Sequence, residues 1–240
     1  LCLMAENVQS DLRQSFLFFT PDFVHPRYAG LPLFADIETA FAPLKGRVVR
    51  ATLAASRKVV ELVAIFGGQW PHSSYMLPGG ITRGATAREL IDCQDIVDQL
   101  LRYYEDEVIG DSLDNWLALN DADAFFSWLD AAPHAASAIG LLTRFARRIG
   151  LHKTGIGARH FLSAGAWHNP QYGPAPASLP DAGIYHADTG QLDPFDPALI
   201  NEHVRHAWYR PYPGGLHPFA GETVPDYQPD TDRYTWAKAP

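Results

Sequence analysis

Cysteine is scarce in this chain of 240 residues: only Cys2 and Cys93 occur. Two thiols cannot build a disulfide scaffold, nor a metal site of four thiolates from this chain alone. Long apolar runs are also missing, and none approaches the ~18 residues a membrane span requires. Glu6, Asp11 and Arg13 interrupt the apolar pattern at the start, so no signal-peptide core is present there. Positive charge is in deficit: 19 Lys+Arg against 27 Asp+Glu leave −8, which disfavours non-specific binding to nucleic acid or acidic membranes. Internal repeats are absent, Gly79-Gly80 lacks the remaining residues of a phosphate loop, and neither H-E-x-x-H nor G-x-S-x-G occurs. The lack of a secretory signal and the few cysteines together favour a reducing cytoplasmic setting, although an exported partner could carry this chain with it.

What is present is a globular composition, 47% hydrophobic and 19% charged. Leu1, Met4, Val8, Leu12, Phe16 and Phe19 fall at helical steps, and Thr20-Pro21-Asp22 is expected to stop that helix. A second helical pattern runs from about Asp36 to Phe66, with a break expected near Pro43–Gly46 and a cap at Gly67-Gly68. A glycine- and proline-rich loop follows over residues 66–84. Thr86 and Glu89 have capping-box spacing, opening an amphipathic helix to about Glu107. Shorter helices are expected at about 121–130 and 134–150, the second bearing Arg144, Arg147 and Arg148.

Beyond Gly150 glycine, proline and aromatics crowd in, and Arg159–Leu162 and Gly183–Tyr185 read as short strands. Asp196-Pro197 reads as the start of a helix over Ala198–Trp208. No clear linker divides the chain. The expectation is a single domain over 1–240, helical in 1–150 and loop-rich, partly β, in 151–240.

Ten histidines invite a metal reading. On the expected helix, Glu202 and His206 would share a face beside His203, but the order differs from the metalloprotease pattern. His217-Pro218 and Pro71-His72 lie in loops, where an imidazole more often bonds a backbone carbonyl. The three arginines read as a solvated helix face, and Cys93 as a buried, inert thiol. From the residues alone, no complete catalytic set emerges.

Four stretches, in order along the chain, resemble the large subunit of nickel–iron hydrogenases. Phe66-Gly67-Gly68-Gln69-Trp70-Pro71-His72, leading to Pro78-Gly79-Gly80, resembles F-G-G-x-x-P-H followed by a P-G-G turn. Ile200–Tyr209 is similar to I-x-E-x-V-x-x-S-W-Y, with Ala207 in place of the serine. Leu216-His217-Pro218-Phe219-Ala220-Gly221-Glu222-Thr223 is the third stretch. Tyr234-Thr235-Trp236-Ala237-Lys238-Ala239-Pro240 resembles Y-S-W-x-K-A-P.

This resemblance implies a mainly α fold with a smaller β and loop-rich part, the long-helix core of that large subunit truncated at both ends. It implies an oxidoreductase, a hydrogenase that splits dihydrogen heterolytically and passes electrons to an iron–sulfur small subunit. The nickel–iron centre, with carbon monoxide and cyanide ligands, is held in the family by two C-x-x-C pairs. Neither pair occurs here, so no metal ligand of that centre is expected in residues 1–240, and the chain alone should be inactive. Pro240 resembles the proline lining the cavity, next to an arginine that would follow it. Lys238 and Glu222 resemble members of the nearby polar network, and His217, His72 and Glu202 are further candidates for support of the site.

Where many members carry a His-Asp-His run, this chain has Gln9-Ser10-Asp11. Ala5–Ser10 and His72–Tyr75 are similar instead to the cytoplasmic uptake and hydrogen-sensing branch. A sensor with little turnover is therefore one alternative reading, and a metal-free scaffold related to complex I is another. The motif around His217 favours hydrogenase over the scaffold.

Overall fold

The first apolar stripe forms α1 (Cys2–Arg13), whose Leu12 turns into the core. The computed structural model describes the chain except for residues 132–133, 156, 166–180, 205–208, 222–223 and 226–240. The helix does not stop at Thr20 as expected. It continues through a π-helical turn, Gln14–Phe18, into a short α2 (Thr20–Phe23) with Pro21 in its first turn. Proline is tolerated there because the N–H it lacks would have no intrahelical partner.

The expected break near Pro43–Gly46 separates α3 (Phe34–Phe41) from α4 (Arg47–Gly67). Glycine is required at 46, since a Cβ would stand 2.3 Å from the Ala40 carbonyl oxygen. The 21 residues of α4 span about 30 Å and bury Val48, Thr52, Ala55, Val59 and Leu62. Gly68, at φ +78°, ends the helix in a conformation that L side chains rarely adopt. A small antiparallel hairpin follows, β1 (Met76–Leu77) with β2 (Gly80–Ile81).

Next comes α5 (Ala87–Tyr103), opened by the Thr86–Glu89 capping box. Its Cys93 and Ile96 pack on Leu62 of α4. A second π-helical turn, Tyr104–Ile109, leads to α6 (Leu113–Leu117), α7 (Ala122–Leu129) and α8 (Ala138–Arg148). Of these, α6 was not foreseen from the sequence. The main core gathers Phe23, Ile37, Phe41, Ile109, Leu129 and Phe145. Rings of Phe23 and Tyr28 meet Phe145 at 5.4 and 5.7 Å.

The chain divides into two compact units, Leu1–Ile156 and Gly157–Pro240. In the second, β3 (His160–Ser163), β4 (Gly183–His186) and β5 (Gln191–Asp193) form an antiparallel sheet in chain order. Both strands expected from the sequence are among them. Among the described residues of Ala198–Trp208, the expected helix is not formed. Only a 3-10 turn, Pro197–Leu199, appears, capped by Asp196, and Ile200 is already extended. Glu202 then pairs with Leu216, so a non-local backbone partner replaces the helical one. Glu202 therefore presents no helix face to share with His206, which lies outside the described residues.

Candidate functional site

His72 sits in the loop that leaves α4, with φ +61°, and its carbonyl accepts a hydrogen bond from the Gln69 side chain. The loop is tied back to α1 at two points. Trp70 Nε1 donates to Glu6 at 3.2 Å, and the Tyr75 hydroxyl donates to Cys2 Sγ at 3.4 Å. That bond to Cys2, followed by repulsion from Cys2 and burial, pushes the Tyr75 hydroxyl up. Gly67 makes the turn possible, because a Cβ would already stand 3.0 Å from the Ser73 Cβ. Beneath the loop lies a cavity of about 220 Å³, lined among others by Cys2, Phe66, Tyr75, Ile81 and Arg83. Arg83 pairs with Glu89 at 2.7 Å, and with the Thr86 bonds this lowers the Glu89 carboxyl to about 2.

Gln9, standing where the family often has its His-Asp-His run, is buried and donates to the Ser56 carbonyl on α4 at 3.3 Å. It clamps two helices together. A neutral amide in that bond offers no proton relay.

Glu202 and His217 are brought to the same ladder in the second unit. The Glu202 N–H donates to the Leu216 carbonyl at 2.8 Å, and the Leu216 N–H returns a bond at 3.2 Å. The His217 carbonyl accepts from Ala220 and Gly221 N–H. Its Nδ1 accepts from Phe219 N–H at 3.2 Å, which leaves the ring proton on Nε2, 3.2 Å from the Pro197 carbonyl. Both ring nitrogens are occupied, so His217 fastens the turn to the 3-10 segment. Gly215 leaves room for His203, whose Nε2 would be 2.6 Å from any Cβ there. The Tyr212 hydroxyl is buried beside Gly221 without a hydrogen-bond partner among the described residues. Glu222, Lys238 and Pro240 lie outside the described residues.

A cleft of about 510 Å³ in the first unit escaped the sequence reading; Arg47, Glu105, Asp111, Ser112 and Ser137 line it. Asp111 Oδ1 accepts from Ser112 N–H and the Asn115 amide, and Oδ2 accepts from the Trp128 indole at 3.0 Å. His134 stacks on Trp128 with centroids 4.5 Å apart and approaches Asp111 at 3.6 Å. The Asn115 amide and then the Trp128 indole hold the Asp111 carboxyl below its ordinary range. With its lone pairs so committed, Asp111 is a lock rather than a base. Sequence does not reveal the lock, since Trp128 and His134 lie 17 residues or more from Asp111.

Cys93 is buried as expected, and burial followed by the Asp92 and Glu89 charges pushes its thiol up. A metal-binding cysteine needs the opposite shift. Arg144 donates to the Ala135 carbonyl and Arg147 lies over the Phe126 ring at 4.6 Å, so both are engaged within the chain.

Comparison with known proteins gives a consistent answer. Residues 140–240 match the family model described as nickel-dependent hydrogenase. The chain is 26% identical over 216 residues to the Hydrogenase-1 large chain of Escherichia coli (strain K12), covering 77% of this chain and 32% of that protein. It is 28% identical over 182 residues to the periplasmic [NiFeSe] hydrogenase large subunit of Desulfomicrobium baculatum, covering 75% of this chain and 29% of that protein. Among solved structures, the reduced, active Ni-Fe-Se hydrogenase of the same organism superposes with a TM-score of 0.64 at 22% identity, over 96% of this chain and 43% of that one. The chain therefore shares the fold of part of that hydrogenase. The chain is similar to hydrogenase large subunits and spans 32% of the length of the first of them. Among the described residues, no helix is long and apolar enough to cross a membrane.

Proposed function

We propose that the intact protein is the large subunit of a nickel–iron hydrogenase that interconverts dihydrogen with protons and electrons, the electrons leaving through an iron–sulfur small subunit. The observation that carries this reading is the match of residues 140–240 to the nickel-dependent hydrogenase family. Similarity to proteins named uptake hydrogenase large subunit favours turnover over sensing.

The residues described here do not by themselves fit the metal centre. It needs four thiolates, whereas Cys93 is buried with its thiol pushed up and Cys2 is engaged by Tyr75. On this reading the thiolates come from parts of the protein outside residues 1–240, and the carbon monoxide and cyanide belong to the cofactor itself rather than to the polypeptide. The chain would form the central part of one large-subunit domain, with Pro240 lining the cavity and Lys238 and Glu222 in its polar network. His217, Glu202 and His72 would act by holding loops in place. The similarity of Ala5–Ser10 to the uptake and sensing branch supports a cytoplasmic location.

The test is production of the full-length protein with its small subunit, nickel loading, and an assay of dye reduction under hydrogen. Hydrogen-dependent reduction is expected. A nickel-loaded complex that reduces no dye would overturn the reading.

A further inference from the structure

A second cluster of potential ligands stands apart from every motif discussed so far, at one end of the three-stranded sheet. His160 on β3 is the direct cross-strand partner of His186 on β4. Their rings meet edge to face with centroids 4.6 Å apart. Asp188 follows in the β4–β5 turn, and one ligand atom from each of the three residues lies within 4.8 Å of the others.

The geometry points to a binding site for a late first-row divalent cation, of the zinc type, formed by His160, His186 and Asp188. Two imidazoles and one carboxylate are a donor set suited to such ions. A tetrahedral ion with bonds of about 2.1 Å holds its ligand atoms about 3.4 Å apart. His160 and Asp188 are exposed, so small side-chain rotations close that difference. The fourth position would remain open to water.

Two layers of support surround the cluster. His186 Nε2 bonds Asp193 Oδ2 at 2.9 Å, and the other oxygen of Asp193 accepts from the Gln191 amide at 2.6 Å. A histidine oriented by a carboxylate that is itself fixed is the usual surround of a metal-bound imidazole. The backbone is held as well, with Ala187 N–H donating to the Arg159 carbonyl at 2.8 Å and Gly190 closing the turn at φ +71°.

The sheet also has a use for such an ion. Phe161 and Leu162 of β3 are 52% and 63% exposed, so apolar burial contributes little to holding β3 on β4. An ion shared between β3 and the β4–β5 turn would cross-link them, and its binding energy would count as folding energy.

The experiment uses the full-length protein with cobalt(II) and zinc(II) as probes. The difference spectrum of the cobalt-loaded parent minus cobalt-loaded His160→Ala should show the visible d–d bands of tetrahedral nitrogen and oxygen ligation, without sulfur charge-transfer intensity, and zinc should displace that cobalt. Equilibrium dialysis should show one zinc fewer bound, or at least about tenfold weaker binding, in His160→Ala and in Asp188→Ala. Both residues are exposed, and circular dichroism checks that each variant is folded. His152→Ala, at an exposed histidine of the first unit, should bind as the parent does. Zinc stoichiometry and affinity unchanged in both His160→Ala and Asp188→Ala would overturn the assignment, whatever the hydrogenase assay shows.

Discussion

The Trp128 indole donates a hydrogen bond to Asp111 Oδ2 at 3.0 Å, joining α7 to the segment that opens α6. Asp111 has its carboxyl lowered, first by the Asn115 amide and next by this indole. A group whose folded pKa is depressed stabilises the fold above its unfolded value, and that contribution is lost as pH falls through the folded value. Asp111→Asn should therefore melt below the parent at neutral pH, with the gap closing under acid conditions. Melting curves of both proteins between neutral pH and about pH 3 check this, and a gap independent of pH would refute it.

Phe145 is fully buried and meets both Phe23 and Tyr28. Removing its ring leaves a cavity that surrounding helices cannot fill. Phe145→Ala should cost about 3–5 kcal/mol in urea unfolding, with a smaller loss for Phe145→Leu.

Tyr103 shares a 2.9 Å hydrogen bond with Thr52, and burial raises its hydroxyl to about 12. Because its folded pKa exceeds the unfolded value of 10.0, its stabilising effect is full below pH 10 and is lost as pH rises towards 12. Tyr103→Phe should lose about 1 kcal/mol at neutral pH yet resist alkaline unfolding better than the parent. Ultraviolet titration of tyrosinate alongside circular dichroism reads both effects.

Thr86 accepts from Glu89 N–H and Glu89 returns a bond to Thr86 N–H at 2.8 Å. Thr86→Ala should weaken the start of α5 by about 0.5–2 kcal/mol. Hydrogen exchange should show the loss confined to the first turn of that helix. Uniform loosening along α5 would mean the cap does something else.

Much of the helical part was legible because its signals are local. The Thr86–Glu89 box and the apolar spacing of α5 lie within a few residues of each other, and Gly46 and Gly68 punctuate α4 as expected. The failure at Ala198–Trp208 has a physical cause. Asp196-Pro197 starts a 3-10 turn as readily as an α-helix, and the decision fell to the pairing of Glu202 with Leu216. The Asp111–Trp128–His134 lock and the His160–His186 pair were invisible for the same reason: each needs residues far apart in the chain. Motif similarity, by contrast, pointed to His217 without revealing that its two ring nitrogens are spent on Phe219 and Pro197.

The two π-helical turns have a consequence for how this chain tolerates changes in length. Each holds one residue more than a regular turn would, and each delivers core side chains: Phe16 from the first, Val108 and Ile109 from the second. Deleting one residue within Tyr104–Ile109 would restore the regular α-helical ladder, a local gain. It would also rotate everything after it by about 100°. Ile109, now fully buried, would swing out of the core it shares with Phe145, and the chain entering α6 would leave in a new direction. Single-residue deletions should thus be far worse tolerated here than in the loops, although the backbone itself becomes more regular.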